Sequence, residues 1–184
     1  MLRGTEAGSK WPLNNKVDES SVLGQLRKRI GNVFDLPTEA QWEYACRAGT
    51  TTALNSGKDL TNADSCANMD EVGRYKYNQN DGNSEGNEHT TVGSYLPNSW
   101  GLYDMHGNVK ECCLDYYKKD LGSNPVKDPT WIIGNATRVV RGGCWFVKAD
   151  KCRSASRDTI DANAASSHRG FRLVLVLPYE KVFN

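Results

Sequence analysis

The sequence predicts a mixed α+β domain in which two helices and short β-strands are joined by long ordered loops. Three observations lead to this fold class. Residues 17–50 contain two helical patterns with capping signals, residues 51–95 are rich in turn-forming Gly, Asn, Asp and Ser, and short β-type segments occur toward the end of the chain. A chain of 184 residues with 38% hydrophobic residues suffices for one sizeable core. We therefore expect residues 1–184 to form a single domain.

The first helix is predicted in VDESSVLGQLRKRIGN. Acidic residues lead the segment, basic residues end it, and Gly31 stands where a C-terminal cap belongs. A surface helix with one apolar face follows from the spacing of Val22, Leu23, Leu26 and Ile30.

The second helix is predicted in TEAQWEYACRAG, after the short extended stretch FDLP. Thr38 and Gln41 have the spacing of a capping box, and Gly49 can end the helix. The turn-rich region that follows contains aromatic residues that would be unusual in a disordered tether, so we expect an ordered loop. Short strands are predicted at SWGLYDM, NATRVVRGG and GFRLVLVL.

Composition excludes several classes of function. The formal net charge of +1 provides no basic field for nucleic acid, and no apolar run approaches the roughly 18 residues of a membrane span. The six cysteines form no CxxC pair and no Cys/His cluster at zinc spacing. Cys112 and Cys113 are adjacent, and neighbouring cysteines rarely bridge each other, so we expect buried free thiols.

Residues 138–177 have well-defined ends and an unpatterned middle. Gly142 and Gly143 permit a tight turn, and Trp145 and Phe171 are predicted to anchor in the core. Multi-donor hydrogen bonds that fix the loops are expected from Arg141, Arg153, Arg157 and Arg172. Between these anchors, residues 144–169 show neither helical nor strand periodicity. Such a loop on a rigid scaffold suits a recognition surface, although a merely tolerant surface loop would look the same.

The segments FDLPTEAQWEYACRAG, VGSYLPNSWGLYDMHGNVKECCLDYY, RVVRGGCW, CRSASR and GFRLV occur in the order typical of one family. From about residue 30 to 176, the chain resembles the formylglycine-generating enzyme, or sulfatase-modifying factor, family. This resemblance implies a C-type-lectin-like fold with a small twisted antiparallel sheet, two helices and much ordered loop. It also implies that the chain lacks, or is preceded by, an N-terminal portion of the domain.

The resemblance further implies structural calcium at two sites. Calcium prefers oxygen ligands, which turn-rich loops supply. The first site would use Asp104, the carbonyls of Gly107 and Val109, and Glu111; the second would use Asn68, the carbonyl of Met69, Asp81 and Asn83. In the alternative without metal, Asp104 and Asn108 cap turns while Glu111 pairs with an arginine such as Arg141.

The family's oxidase activity resembles copper-assisted thiol chemistry that uses two cysteines a few residues apart. In CWFVKADKCRS the position of the first is occupied by Val147, whereas Cys152 can occupy the second. Without a thiol pair we expect no copper site and no enzyme activity. Cys144 and Cys152 are an alternative thiol pair, and His106 and His168 are expected to be turn or surface residues.

The chain also resembles a second group with this fold, the variable proteins of diversity-generating retroelements. These proteins keep the motifs RGGSW, CRSA and GFR and vary between them, and the motifs of the treponemal members are the most similar to those of this chain. In such systems template adenines are mutagenised, so Asn codons become codons for many other residues, although Lys148 and Lys151 are not reachable from them. By this resemblance the candidate ligand-binding residues are Phe146, Val147, Asp150, Lys151, Ser156, Asp158, Thr159, Ile160, Asp161, Asn163, Ser166, Ser167, His168 and Arg169.

The sequence thus predicts a ligand-binding variable protein that displays residues 144–169 on a lectin-like scaffold. The alternative is a formylglycine-generating oxidase or a degenerate, non-catalytic relative. The expected partner is a protein or a surface ligand rather than nucleic acid. A variable protein would lie at the cell surface or outside the cell, whereas the residues themselves do not indicate a location.

Overall fold

In the part of the chain that the structure describes, the main sheet of the computed structural model has four strands. They are β2 (Lys110–Tyr116), β3 (Thr137–Arg141), β4 (Asp158–Asp161) and β5 (Arg169–Gly170). β3 pairs antiparallel with both β2 and β4, whereas β5 pairs parallel to β2. A second, two-stranded sheet joins β1 (Phe34–Asp35) to β6 (Val174–Leu175). The structure describes residues 2–3, 17–79, 88–131, 137–161 and 166–177.

Both predicted helices are present. Helix α1 (Val22–Ile30) begins at Ser21, whose side chain accepts a hydrogen bond from the Gly24 N–H, and ends at Gly31 with φ 77°. Helix α2 (Glu39–Arg47) has the predicted capping box between Thr38 and Gln41. A short helix, α3 (Ala67–Asp70), interrupts the long loop, and single 3₁₀ turns occur at Lys76–Asn78 and Ala149–Cys152.

The predicted apolar face of α1 is only partly buried. Leu23 is completely buried, but Val22 and Ile30 are 57% and 50% exposed. Only a narrow stripe of α1 therefore contacts the domain, because the helix packs at its edge beside β1 rather than on the main sheet.

The strand predictions were confirmed for NATRVVRGG, which contains β3, and in part for GFRLVLVL, which contains β6 and the last residue of β5. SWGLYDM is irregular rather than a strand. The neighbouring segment KECCLDY, which was not predicted as a strand, forms β2 between β3 and β5 in the main sheet.

The core lies on both faces of β2. Cys113 packs with Trp42 of α2 and with Val139, whereas Cys112 packs with Leu36 and Val140 on the opposite face. This alternation follows from the period of two in a strand. All six cysteines are buried free thiols. None of the helices in the described part of the chain has the length and apolar character of a membrane span.

Candidate functional site

A buried arginine in β3 fixes the first half of the candidate segment to helix α2. Arg141 is 1% exposed and donates to Glu39 of α2 at 3.3 Å and to the Ser154 carbonyl at 2.7 Å. It also donates to Glu43. Arg157 donates to both carboxylate oxygens of Glu39. Both guanidinium groups donate to the Glu39 carboxylate, and this shared contact attaches β3 and the chain at Arg157 to α2.

The turn at the start of the segment requires its two glycines. Gly142 and Gly143 have φ values of 88° and 72°, which strain any residue with a Cβ. A Cβ at position 143 would lie 2.6 Å from the Cys152 Sγ, and one at position 142 would lie 3.2 Å from the Trp42 ring. The chain therefore passes directly over the thiol of Cys152. Arg141, Cys144, Cys152 and Ser154 are all buried, and we call them the frame residues.

Several side chains of the segment meet at one end of the main sheet. The Phe146 ring, 38% exposed, lies edge-on to the His168 ring with the centroids 4.7 Å apart. The Lys110 Nζ at the start of β2 lies 5.7 Å from the centre of the Phe146 ring and donates to Asp158 Oδ2 at 2.6 Å. Burial alone would raise the pKa of Asp158, but the hydrogen bonds from Lys110 and from the Thr159 N–H lower it, which favours the ionised form.

A cavity of about 270 Å³ adjoins this contact. Its lining includes four of the candidate residues, Val147, Lys151, Ser156 and Asp158, together with Lys110, Val140, Gly143 and Arg157. We define the display surface as Lys110, Phe146, Lys151, Ser156, Asp158 and His168. Residues far apart in the segment thus share one surface, because Asp158 at the start of β4 and His168 just before β5 lie at the same end of the sheet as Lys110.

The remaining candidate residues are distributed differently. Val147 packs against the buried cluster that contains Cys152, and Ile160 packs against the cluster of Leu36, Cys112 and Val140. Both are half-buried and offer less area to a ligand than the sequence suggested. Asp150 faces a separate cavity with residues 59–63. Half-buried or exposed positions are also occupied by Thr159, Asp161, Ser166, Ser167 and Arg169, and Asn163 lies outside the described residues.

Two further expectations were wrong. Phe171 is 49% exposed and is not a core anchor, because the side chain of its neighbour Arg172 points inward instead. Trp145 is half-buried, so it anchors the segment less deeply than expected. His106 lies in a bend, but it is completely buried rather than at the surface. Its Nε2 accepts a hydrogen bond from the Asn55 N–H at 3.0 Å, so its Nδ1 carries the proton and donates to the Cys152 carbonyl at 2.7 Å. Burial lowers the pKa of His106 to about 4.

Two side chains of the first calcium site, Glu111 and Asp104, already accept hydrogen bonds in this arrangement. Glu111 is buried, and its carboxylate accepts hydrogen bonds from Trp42 Nε1 at 2.6 Å and from the guanidinium of Arg172. The arginine partner is thus Arg172 rather than Arg141, and it supplies the positive charge that calcium would supply. Asp104 accepts from the Gly93 N–H, while its buried Oδ1 has no hydrogen-bond partner. Calcium would have to displace Arg172 from Glu111.

The lining of the first site also includes Gly107 and Val109, whose carbonyls remain proposed ligands. At the second proposed site, the Asn68 amide donates to the Asp59 carbonyl and the Met69 carbonyl accepts from Val72 and Gly73, while Asp81 and Asn83 lie outside the described residues. No group of three or more His, Cys, Asp or Glu side chains that could hold a metal ion occurs in the described ranges.

The thiol chemistry of the segment is limited by burial. Cys152 is 0% exposed, and burial raises its pKa well above the ordinary range, as it also raises that of Cys144. A thiol with a raised pKa holds little of the nucleophilic thiolate at neutral pH. Position 147 is where the first active cysteine of the family is expected. In this chain the aliphatic side chain of Val147 occupies that position and packs near Cys152.

The family of sulfatase-modifying factor enzyme 1-like domains matches residues 6–177 of the chain. The chain belongs to this family. Among curated proteins, it is 37% identical over 140 residues to a serine/threonine-protein kinase pkn1 of Chlamydia pneumoniae, with 74% of this chain and 20% of the kinase covered. It is 33% identical over 150 residues to the formylglycine-generating enzyme of Streptomyces coelicolor, with 74% of this chain and 45% of the enzyme covered.

Among solved structures, Treponema denticola variable protein 1 is similar to the chain with a TM-score of 0.64 and 34% identity, over 77% of this chain and 47% of that protein. The family resemblance and the α+β fold expected from the sequence are therefore confirmed. The chain spans a fifth of the kinase and less than half of the other two relatives.

Reasoning from the sequence missed Lys110, which lies outside the unpatterned segment but contributes its ammonium to the display surface. It also missed the pairing of Arg172 with Glu111. No local signal marks either residue, since each depends on contacts between segments that are distant in sequence.

Proposed function

We propose that this chain is a non-catalytic, ligand-binding member of the sulfatase-modifying factor family, and that it is a variable protein of a diversity-generating retroelement. Residues 144–169 would carry the ligand-binding positions. The observation that carries the proposal is the division of this segment into buried frame residues and a display surface formed by side chains from three separate stretches.

This division suits diversification for a physical reason. Substitutions at exposed positions away from special features usually change stability by less than about 0.5 kcal/mol. Lys151, Asp158 and Ser167 are exposed, so that many residues could occupy these positions while the frame keeps the fold. The similarity to a treponemal variable protein supports the same function.

The genomic surroundings of the gene test this proposal. We expect a nearby reverse transcriptase and a near-copy template that encodes residues 144–169, with adenines at the codons of the exposed candidate positions. A gene beside a sulfatase, without a reverse transcriptase or template repeat, would contradict the proposal.

The second candidate function is that of a formylglycine-generating oxidase, which is favoured by the curated enzymes among the relatives and by Cys152 at the expected position of the second active cysteine. Val147 in place of the first cysteine and the burial of Cys152 argue against it. We expect that purified protein supplied with copper and a Cys-containing sulfatase peptide forms no aldehyde. Aldehyde formation that is lost in Cys152→Ser would establish the oxidase instead.

A further inference from the structure

Lys110 is the charged residue that connects the parts of the display surface. Its side chain is 14% exposed, and its Nζ lies 2.6 Å from Asp158 Oδ2 and 5.7 Å from the centre of the Phe146 ring. An ammonium group has three N–H donors. The bond to Asp158 uses one of them, and the ammonium makes no further hydrogen bond to the described residues. Donors therefore remain for a ligand.

Cationic side chains outnumber carboxylates on the lining of the 270 Å³ cavity. Three cationic side chains, Lys110, Lys151 and Arg157, face it, and Asp158 contributes a single carboxylate. The charge of Arg157 is matched by Glu39 through two hydrogen bonds. The Lys151 Nζ lies 3.3 Å from Asp150 Oδ2, and Lys110 is paired with Asp158, so an anion that entered the cavity would compete with these two carboxylates for the lysines.

The carboxylate partner of Lys110 is accessible to solvent. The Asp158 side chain is 57% exposed, and exposed ion pairs contribute little to stability because water and salt screen them. The Lys110 side chain is far less exposed, so a ligand carboxylate, like that of Asp158, would meet its ammonium in a partly desolvated place where charge pairing is stronger. Asp158 thus competes with such a ligand for Lys110.

We propose that Lys110 is a ligand-binding residue fixed outside the diversified segment, and that the cavity takes an acidic side chain of a protein partner. This inference rests on the proposed function, because it assumes that the display surface is the binding face. Position 158 then sets specificity: an acid there competes for the ammonium, and a neutral residue leaves it open.

The test uses the full chain and two defined probes, the tripeptide acetyl-Gly-Glu-Gly-amide and its Gln counterpart, which differ in one carboxylate. We expect the Glu peptide to shift the backbone amide signals of Lys110, Ser156 and Asp158 saturably in NMR titrations, with an affinity at least about tenfold above that of the Gln peptide. Asp158→Asn should bind the Glu peptide about fivefold more tightly, since it removes the competing carboxylate.

Lys110→Met should lose the preference for the Glu peptide while it keeps the aliphatic packing of the side chain. Lys28→Met, at an exposed position of α1, is the matched control and should keep the preference. Lys110→Gln provides a second variant, and the midpoint of thermal unfolding of each variant shows whether it folds.

Equal binding of the two peptides, a preference that survives in Lys110→Met, or weaker binding in Asp158→Asn would each overturn the inference. The proposed function fails separately. It is lost when the gene has no reverse transcriptase or template repeat nearby, whereas the inference about Lys110 is lost when the carboxylate gives no advantage.

Discussion

The substitution Arg141→Met is expected to destabilise the domain far more than substitutions on the display surface. Arg141 is buried and donates to Glu39, to Glu43 and to the Ser154 carbonyl. Met has a similar length but donates no hydrogen bond, so these acceptors lose their donor while the volume is largely kept.

The structure allows the cost to be estimated. Removal of one partner from a buried ion pair costs about 3–5 kcal/mol, because the other charge stays buried without compensation. Glu39 keeps both hydrogen bonds from Arg157, which places the expected loss near the lower end, at about 3 kcal/mol. The double substitution Lys151→Ser and Ser167→Ala removes two exposed side chains and should cost less than about 1 kcal/mol in total.

Urea denaturation of the wild type and both variants, followed by fluorescence, measures the difference. We expect the midpoint to fall strongly for Arg141→Met and little for the double variant, with a similar denaturant slope for all three. If the double variant is as destabilised as Arg141→Met, the segment is part of the core, and the division into frame and display surface is incorrect.

Three further predictions concern the buried histidine, the first calcium site and the exposed Phe171. The pKa of His106 is lowered in the folded state, so the unfolded state binds more protons when the pH falls below the ordinary histidine pKa of 6.5. The free energy of unfolding should therefore fall by about 2 kcal/mol from pH 7 to pH 5 in urea titrations, and His106→Gln should remove most of this loss. Because Arg172 already neutralises Glu111, a chelator should leave the midpoint of thermal unfolding unchanged; a lower midpoint that calcium restores would show a structural ion. Phe171→Ala should cost much less than the roughly 3–5 kcal/mol of a buried aromatic, and a loss in that range would place Phe171 in the core.

The elements with local signals were predictable from the sequence. The capping box between Thr38 and Gln41 and the left-handed cap at Gly31 need only neighbouring residues, and both are present. Strand β2 was missed because both of its faces are buried, so Cys112 and Cys113 show no alternation of apolar and polar residues.

Features that depend on distant contacts could not be predicted. His106 follows a turn-rich stretch, and only the approach of Asn55 and Cys152 makes it a buried, neutral side chain. The exposure of Phe171 likewise depends on Arg172 turning inward to Glu111. The segment 144–169 was located from its lack of periodicity, but Lys110 joins the display surface only through the pairing of β2 with β3 and β5.

Sequencing of this gene from many cells of its source tests the central claim most directly. A diversified binding segment predicts frequent substitutions at exposed positions such as Phe146, Asp158 and Ser167, each at a codon whose template copy contains adenine. It also predicts none at the frame residues Arg141 and Cys152. Substitutions spread evenly along the gene, or a segment that never varies between cells, would contradict the account.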